Sequence, residues 1–190
     1  ATIVPVDYDG RNVDLEVRTR DTWTLNPGVN FSRAGGENEY AVQIQEKNLF
    51  GRGQALELEW DSDAFRESLT LSFSDPHFLK SYTRLAMAYS DASDGSTKYF
   101  SLSRPFYALD SRWSAGTTLS DSDFNVDRWE YGKRVGKFET HAQYYDLGGG
   151  WSRGLANGWV RRWTYGATYQ ESQFAPVPDA YRELLGAYRD

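Results

Sequence analysis

The chain has 190 residues, no cysteine, a formal net charge of −6 and a mean hydropathy of −0.68. That length suits one ordinary domain, the missing thiols exclude a disulfide framework and a thiolate metal centre, and the acidic balance repels a nucleic-acid backbone on average. Runs of roughly 18 apolar residues are absent, which excludes a transmembrane helix but leaves a membrane β-barrel open, because barrel strands hide their apolarity in alternation.

Thirteen Tyr and seven Trp stand beside one Met. Such an aromatic chain of low hydropathy fits a soluble β-sandwich or an outer-membrane barrel with aromatic girdles. The chain starts at Ala1 without a signal peptide, so it reads as a mature or excised segment.

In chain order, residues 2–6 and 12–17 flank Asp7-Tyr-Asp-Gly10 and predict a small hairpin of soluble character. From Thr22 onward, period-2 stripes replace any helical period. Tyr40, Val42 and Ile44 form one stripe; Leu56, Leu58 and Trp60 the next; then Leu69, Leu71 and Phe73, and Leu85, Met87 and Tyr89. Late in the chain Trp159, Trp163, Tyr165, Ala167 and Tyr169 share one parity. The stripes predict about nine strands, at 22–32, 39–48, 53–62, 66–75, 82–91, 97–104, 111–120, 137–155 and 159–173. Each run is about ten residues, the length a tilted strand needs to cross a bilayer, whereas soluble strands more often run five or six. The eighth strand changes parity between Tyr144 and Tyr145, and Gly148-Gly-Gly150 reads as a bulge there. Residues 176–190 read as an extracellular loop or tail, with a short helix at Ala180, Leu184, Leu185 and Tyr188.

The connections alternate in kind. One set is polar: 33–38, 61–64, 91–95 and the long stretch 120–136. The other is short: 48–53, 75–78, 104–107 and 156–158. Pro76 and Pro105 mark strand ends because they cannot donate to a ladder. An up-and-down barrel has short periplasmic turns and longer extracellular loops, so the second set is expected on the periplasmic side. The expected fold is therefore all-β, an antiparallel up-and-down transmembrane barrel wall.

At Asn48, Leu49, Phe50, Gly51 and Gly53 the pattern becomes specific. It resembles the first periplasmic turn of the BamA/TamA-like outer-membrane β-barrel superfamily, which includes two-partner secretion and patatin-linked type V barrels. Asp75, Pro76 and Phe78 match that family's next turn, and Arg104, Pro105, Phe106 and Tyr107 a third, in order and one hairpin apart. The resemblance covers most of the chain. It implies the N-terminal part of a sixteen-stranded barrel at 22–175, preceded at 1–21 by the end of a periplasmic POTRA module. One departure stands out: the family's Arg-Gly-Phe loop motif is missing here.

That resemblance implies a bacterial outer-membrane protein without covalent chemistry and without a cofactor. It would assemble or secrete polypeptide clients by strand augmentation at a labile seam, among outer-membrane lipids and lipopolysaccharide. The family's seam is its first strand, here Trp23, Leu25, Pro27, Gly28, Val29 and Phe31. Pro27 either loosens that seam or marks only where the strand meets the membrane. The alternatives are a passive small barrel or pore, and an anchor for an upstream patatin-like lipase. Two unpaired strand edges also favour closure or edge-to-edge self-association.

Other candidates have bland readings. Gly150-Trp-Ser-Arg-Gly154 has the form of a nucleophile elbow, but both His77 and His141 precede Ser152 and no α/β alternation surrounds it, so a bulged strand is expected. Asp91, Asp94 and Gly95 echo a calcium loop but lack its spacing, and read as a hairpin turn. Asp121 and Asp123 either bridge divalent cations of lipopolysaccharide or lie in a solvated loop; the loop is the expectation. Arg161 and Arg162 read as interface or lumen charges.

Overall fold

A computed structural model describes residues 2–19, 22–34, 37–131 and 133–176. All regular structure among them is β. A separate hairpin is formed by β1 (Thr2–Tyr8) and β2 (Val13–Arg18), antiparallel, with every residue exposed. Its turn closes on Asp9, whose Oδ1 accepts the Arg11 and Asn12 N–H groups at 2.8 and 2.6 Å while Gly10 takes φ 91°. Those two backbone donors, Asn12's first, hold the Asp9 carboxyl below its ordinary value.

The rest is one sheet of nine antiparallel strands in sequence order, an up-and-down meander. Its strands are β3 (Leu25–Ala34), β4 (Glu37–Leu49), β5 (Gln54–Ser62), β6 (Glu67–Phe78), β7 (Thr83–Ala92), β8 (Gly95–Arg104), β9 (Trp113–Glu130), β10 (Lys133–Ala156) and β11 (Trp159–Pro176). All nine expected strands are present. Among the described residues β3 and β11 each pair on one side only.

Register converts the stripes into faces. Val29, Val42, Trp60, Leu69 and Asp91 follow one another across β3 to β7, as do Pro27, Ile44, Leu58, Leu71 and Tyr89. Phe73, Met87, Phe100, Leu119, Tyr145 and Tyr169 continue the apolar face through β11. The opposite face is polar and internally bonded. Directly opposed pairs include Thr70–Ser90 at 2.9 Å, Ser68–Asp61 at 2.6 Å and Thr168–Asp146 at 2.7 Å.

Among the described residues no second layer packs on the apolar face. Leu85 is the one buried hydrophobic residue among those described. The accessible surface is 14937 Å², against roughly 9200 Å² for a compact monomer of this mass. A soluble sandwich would have buried the stripes against a second sheet. Here they remain exposed on a single layer.

Several local expectations are corrected. Residues 120–136 are not a long loop: β9 and β10 run on as a paired extension turning at Tyr131, where φ is positive. Alternation of Ser, Asp and Asn with Phe124 and Val126 suits a strand as well as a loop. Connections at both ends are consequently short, and the longest among the described residues, 105–112, lies on the side where short turns were expected. Pro76 does not end β6 but sits inside it, at the irregularity between Asp75 and Phe78, where an extra residue leaves the ladder and no donor is required. Pro105 does follow the end of β8.

The glycine run is not a bulge either. β10 keeps unbroken register from Phe138 to Trp151 against both neighbours, and its irregularities fall outside that run, between Arg134 and Gly136 and between Ser152 and Leu155. Tyr144 thus stays on the polar face and Tyr145 on the apolar one. The pattern changes because the strand leaves the apolar belt, not because the backbone flips: beyond Tyr145 the apolar-face positions are Gln143, His141 and Glu139. The tail beyond Pro176 lies outside the described residues.

Candidate functional site

The site the sequence points to is an edge. β3 carries Leu25, Pro27, Val29 and Phe31 on the apolar face, with Gly28 on the other; Trp23 precedes the strand and is exposed. Pro27 stands opposite Ile44. The Lys47 N–H donates to the Thr24 carbonyl at 2.9 Å, so 24 and 47 form a hydrogen-bonded pair. Antiparallel alternation then makes 27 and 44 a non-bonded pair, and the Pro27 nitrogen faces away from β4. The proline therefore costs the β3–β4 ladder nothing and deletes one donor from the free edge. Leu25, Val29, Phe31 and Arg33 keep theirs. At Gly28 the missing Cβ leaves room for the Gln43 side chain, which a Cβ would meet at 2.8 Å.

The two edges are related by strand count. Nine antiparallel strands make β3 and β11 run in the same direction. Closing one chain on itself would need a parallel seam, whereas bacterial single-chain barrels have even strand numbers and antiparallel seams.

The motifs gather at one end of the sheet. In the first, Asn48 Oδ1 accepts the Gly53 N–H at 2.7 Å and its carbonyl accepts the Gly51 N–H at 2.9 Å. Phe50, Gly51 and Gly53 all take positive φ, which explains the two glycines and leaves Phe50 strained in the open, with Leu49 closing the strand. The second motif lies in the last residues of β6 rather than in a turn; there buried Asp75 accepts the Gln54 amide and the His77 N–H, both at 2.8 Å, tying the end of β6 to the start of β5. In the third, Arg104 lies 3.8 Å over the Trp113 ring and 5.1 Å from that of Tyr107, and Tyr107 stacks on Tyr82 at 3.7 Å.

Phe106 does something the sequence did not reveal. It lies over Gly150, where a Cβ would meet its ring at 2.8 Å, and the Arg162 guanidinium sits 4.8 Å above it while donating to the Ala108 carbonyl at 3.0 Å. The loop 105–112 thus folds onto the polar face of β9–β11, where Gly116, Gly148 and Gly166 share one register row. The signal was present as Gly-Gly-Gly, but only register shows which glycine receives the ring.

Two aromatic rows bound the apolar belt on the last strands. Trp113, Trp151 and Trp163 stand side by side across β9–β11, and Leu119, Tyr145 and Tyr169 do so six residues further along, about 20 Å of strand. Just beyond the second row the same face turns polar. Asp123 Oδ1 lies 2.5 Å from His141 Nδ1 and Asp121 Oδ2 3.8 Å from Nε2, with all candidate ligand atoms within 4.8 Å of one another. These three residues could hold a divalent cation, but both imidazole nitrogens already face carboxylates, which accounts for the cluster without one. Asp121 and Asp123 are strand residues, not loop residues.

The remaining candidates are structural. Ser152 is buried on the polar side, donates to the Arg161 carbonyl at 2.8 Å and accepts the Gly154 N–H at 3.0 Å, while His141 is on the opposite face of the same strand. Asp94 sits in the β7–β8 turn and holds Arg66 at 2.7 Å; that hydrogen bond raises the guanidinium further above its ordinary value. Asp63, accepting the Phe65 and Arg66 N–H groups, is held below the usual carboxylate range. No family model matches this sequence, and no curated protein matches it.

Proposed function

We propose that this chain is part of the wall of an outer-membrane β-barrel of the BamA/TamA-like kind, which assembles or secretes polypeptide clients by strand augmentation at β3, without covalent chemistry. One observation carries the reading: an apolar face crosses nine strands with no second layer on it among the described residues, bounded by aromatic rows on β9–β11 and backed by a polar, hydrogen-bonded face. A lipid-facing wall needs that division, and a soluble fold would hide the stripes. The three motifs at one end fit the periplasmic side, and the paired extension of β9 and β10 fits the extracellular side. The exposed hairpin β1–β2 fits the end of a POTRA module.

The strand count favours a larger barrel, or pairing with further strands, over a passive nine-stranded pore. The thinned donor row at Pro27 fits an edge that opens for an incoming strand rather than one permanently zipped.

The test is capture of a strand by the refolded chain in phospholipid vesicles. A photo-crosslinker at position 29 or at position 165 is offered a ten-residue amphipathic strand peptide ending in an aromatic residue. Capture at 29 exceeding that at 165 supports augmentation at β3. Equal capture, or a chain that stays dissolved in buffer and never enters the vesicles, defeats it.

A further inference from the structure

At the Asn157–Gly158 turn, below the tryptophan row, lies a cavity of about 510 Å³ lined by Trp151, Arg153, Trp159, Arg161 and Trp163 with only small or amide neighbours. Its size is that of an ordinary ligand pocket. Two guanidinium groups and three indoles line it, and no carboxylate does. Neither arginine side chain has an ion pair among the described residues; the Arg153 guanidinium lies 5.9 Å over the Trp151 ring.

The backbone is built to bring the two arginines together. Residues 152 and 155 pair with 162 and 160, so β10 carries one extra residue here, and Gly154 takes φ 80°. Trp151 pairs with Trp163, so two residues on, Arg153 falls beside Arg161 on the same face, and the bulge lodges the extra residue directly after Arg153. Ser152 fastens it, its hydroxyl bonding both the Arg161 carbonyl and the Gly154 N–H. The Gly150–Gly154 motif, idle as a nucleophile elbow, finds its use in this clamp.

We infer that this cavity binds the phosphodiester headgroup of an anionic phospholipid at the membrane interface. Guanidinium forks match phosphate oxygens, and indoles favour the zone between acyl chains and water. The cavity sits where both are offered, at the end of the apolar belt on the side proposed as periplasmic. A free phosphate ion would satisfy the arginines but leave three exposed indoles uncovered; a lipid covers both. The inference rests on the membrane reading above.

The test uses the whole chain refolded in phosphatidylcholine vesicles doped with brominated phosphatidylglycerol or, at equal mole fraction, brominated phosphatidylcholine. Tryptophan quenching should favour the glycerol lipid, and R153Q/R161Q should reduce that preference by about fivefold for each arginine removed. The control R52Q/K80Q removes two charges from the same end of the sheet and should keep the preference. An unchanged preference in R153Q/R161Q, or an equal loss in the control, overturns the site, because generic charge would then explain it. Loss of preference on adding inorganic phosphate at constant ionic strength also overturns it, by making the ion alone the ligand. Equal quenching by both lipids removes the headgroup site but leaves the membrane reading standing; quenching by neither removes both.

Discussion

Pro27 stands opposite Ile44 with its nitrogen turned away from β4, so the residue that cannot donate lies where only an outside strand would miss the donor. Pro27→Val should restore that N–H without disturbing the β3–β4 pair. Capture of the amphipathic strand peptide at β3 should then increase and its release slow. An unchanged release rate would mean that the proline plays no part in keeping the edge labile.

The two faces should respond oppositely to charge. Leu71 lies in the middle of the apolar face, and its neighbour Ser72 points to the polar one. In a bilayer, Leu71→Arg should cost roughly 2–4 kcal/mol of folding free energy, and Ser72→Arg far less. Urea titration of vesicle-bound protein measures both. Equal costs would argue against a lipid-facing wall.

Asn48 and Gly53 make a paired test of the first turn. Asn48→Ala leaves the Gly53 N–H without its acceptor and should cost about 1 kcal/mol. Gly53→Ala puts a Cβ on a backbone with φ 70° and should cost about 1–2 kcal/mol. Open space surrounds Gly53, so a cost well beyond this would show that the turn contacts something else.

Gly150→Leu should expel Phe106 from the polar face. The added side chain meets the ring and Ser114 Oγ at 2.8 Å from its first carbon, and such overpacking should cost about 2 kcal/mol. Limited proteolysis should then cut within 105–112 far faster than in the parent chain. Equal cleavage rates would show that Phe106 does not hold the loop.

The β1–β2 hairpin should loosen in acid. Asp9 titrates below its ordinary value of 3.8 because the backbone N–H groups of Asn12 and Arg11 favour the carboxylate. A depressed folded value means the stabilisation is complete above the unfolded value and disappears as pH falls through the folded one. Amide exchange at Arg11 and Asn12, corrected for its intrinsic pH dependence, should show protection lost only below about pH 4. Asp9→Asn should flatten that profile.

The sequence by itself determined the nine strands, their antiparallel order and the sharing of one face by Val42, Leu58, Leu71 and Met87. Alternation is local: a residue's neighbours two positions away say which side it occupies, whatever the strand pairs with. The turn at Asn48–Gly53 was legible for the same reason, since positive φ and short side-chain caps leave marks within a few residues; the one expected at 75–78 instead falls just beyond β6, at Leu79 and Lys80. Only the tertiary structure decided the rest. Tyr144 and Tyr145 looked like a flipped backbone until register placed Tyr145 beside Leu119 and Tyr169, with the belt ending there. Residues 120–136 looked like a loop because polar alternation carries no hydrophobic signal, yet two such runs pair when a turn at Tyr131 brings them together. Phe106 over Gly150 depends on a loop return, and Arg153 beside Arg161 on the register of β10 against β11. These are contacts between segments, fixed by register, and no periodicity within either segment encodes them.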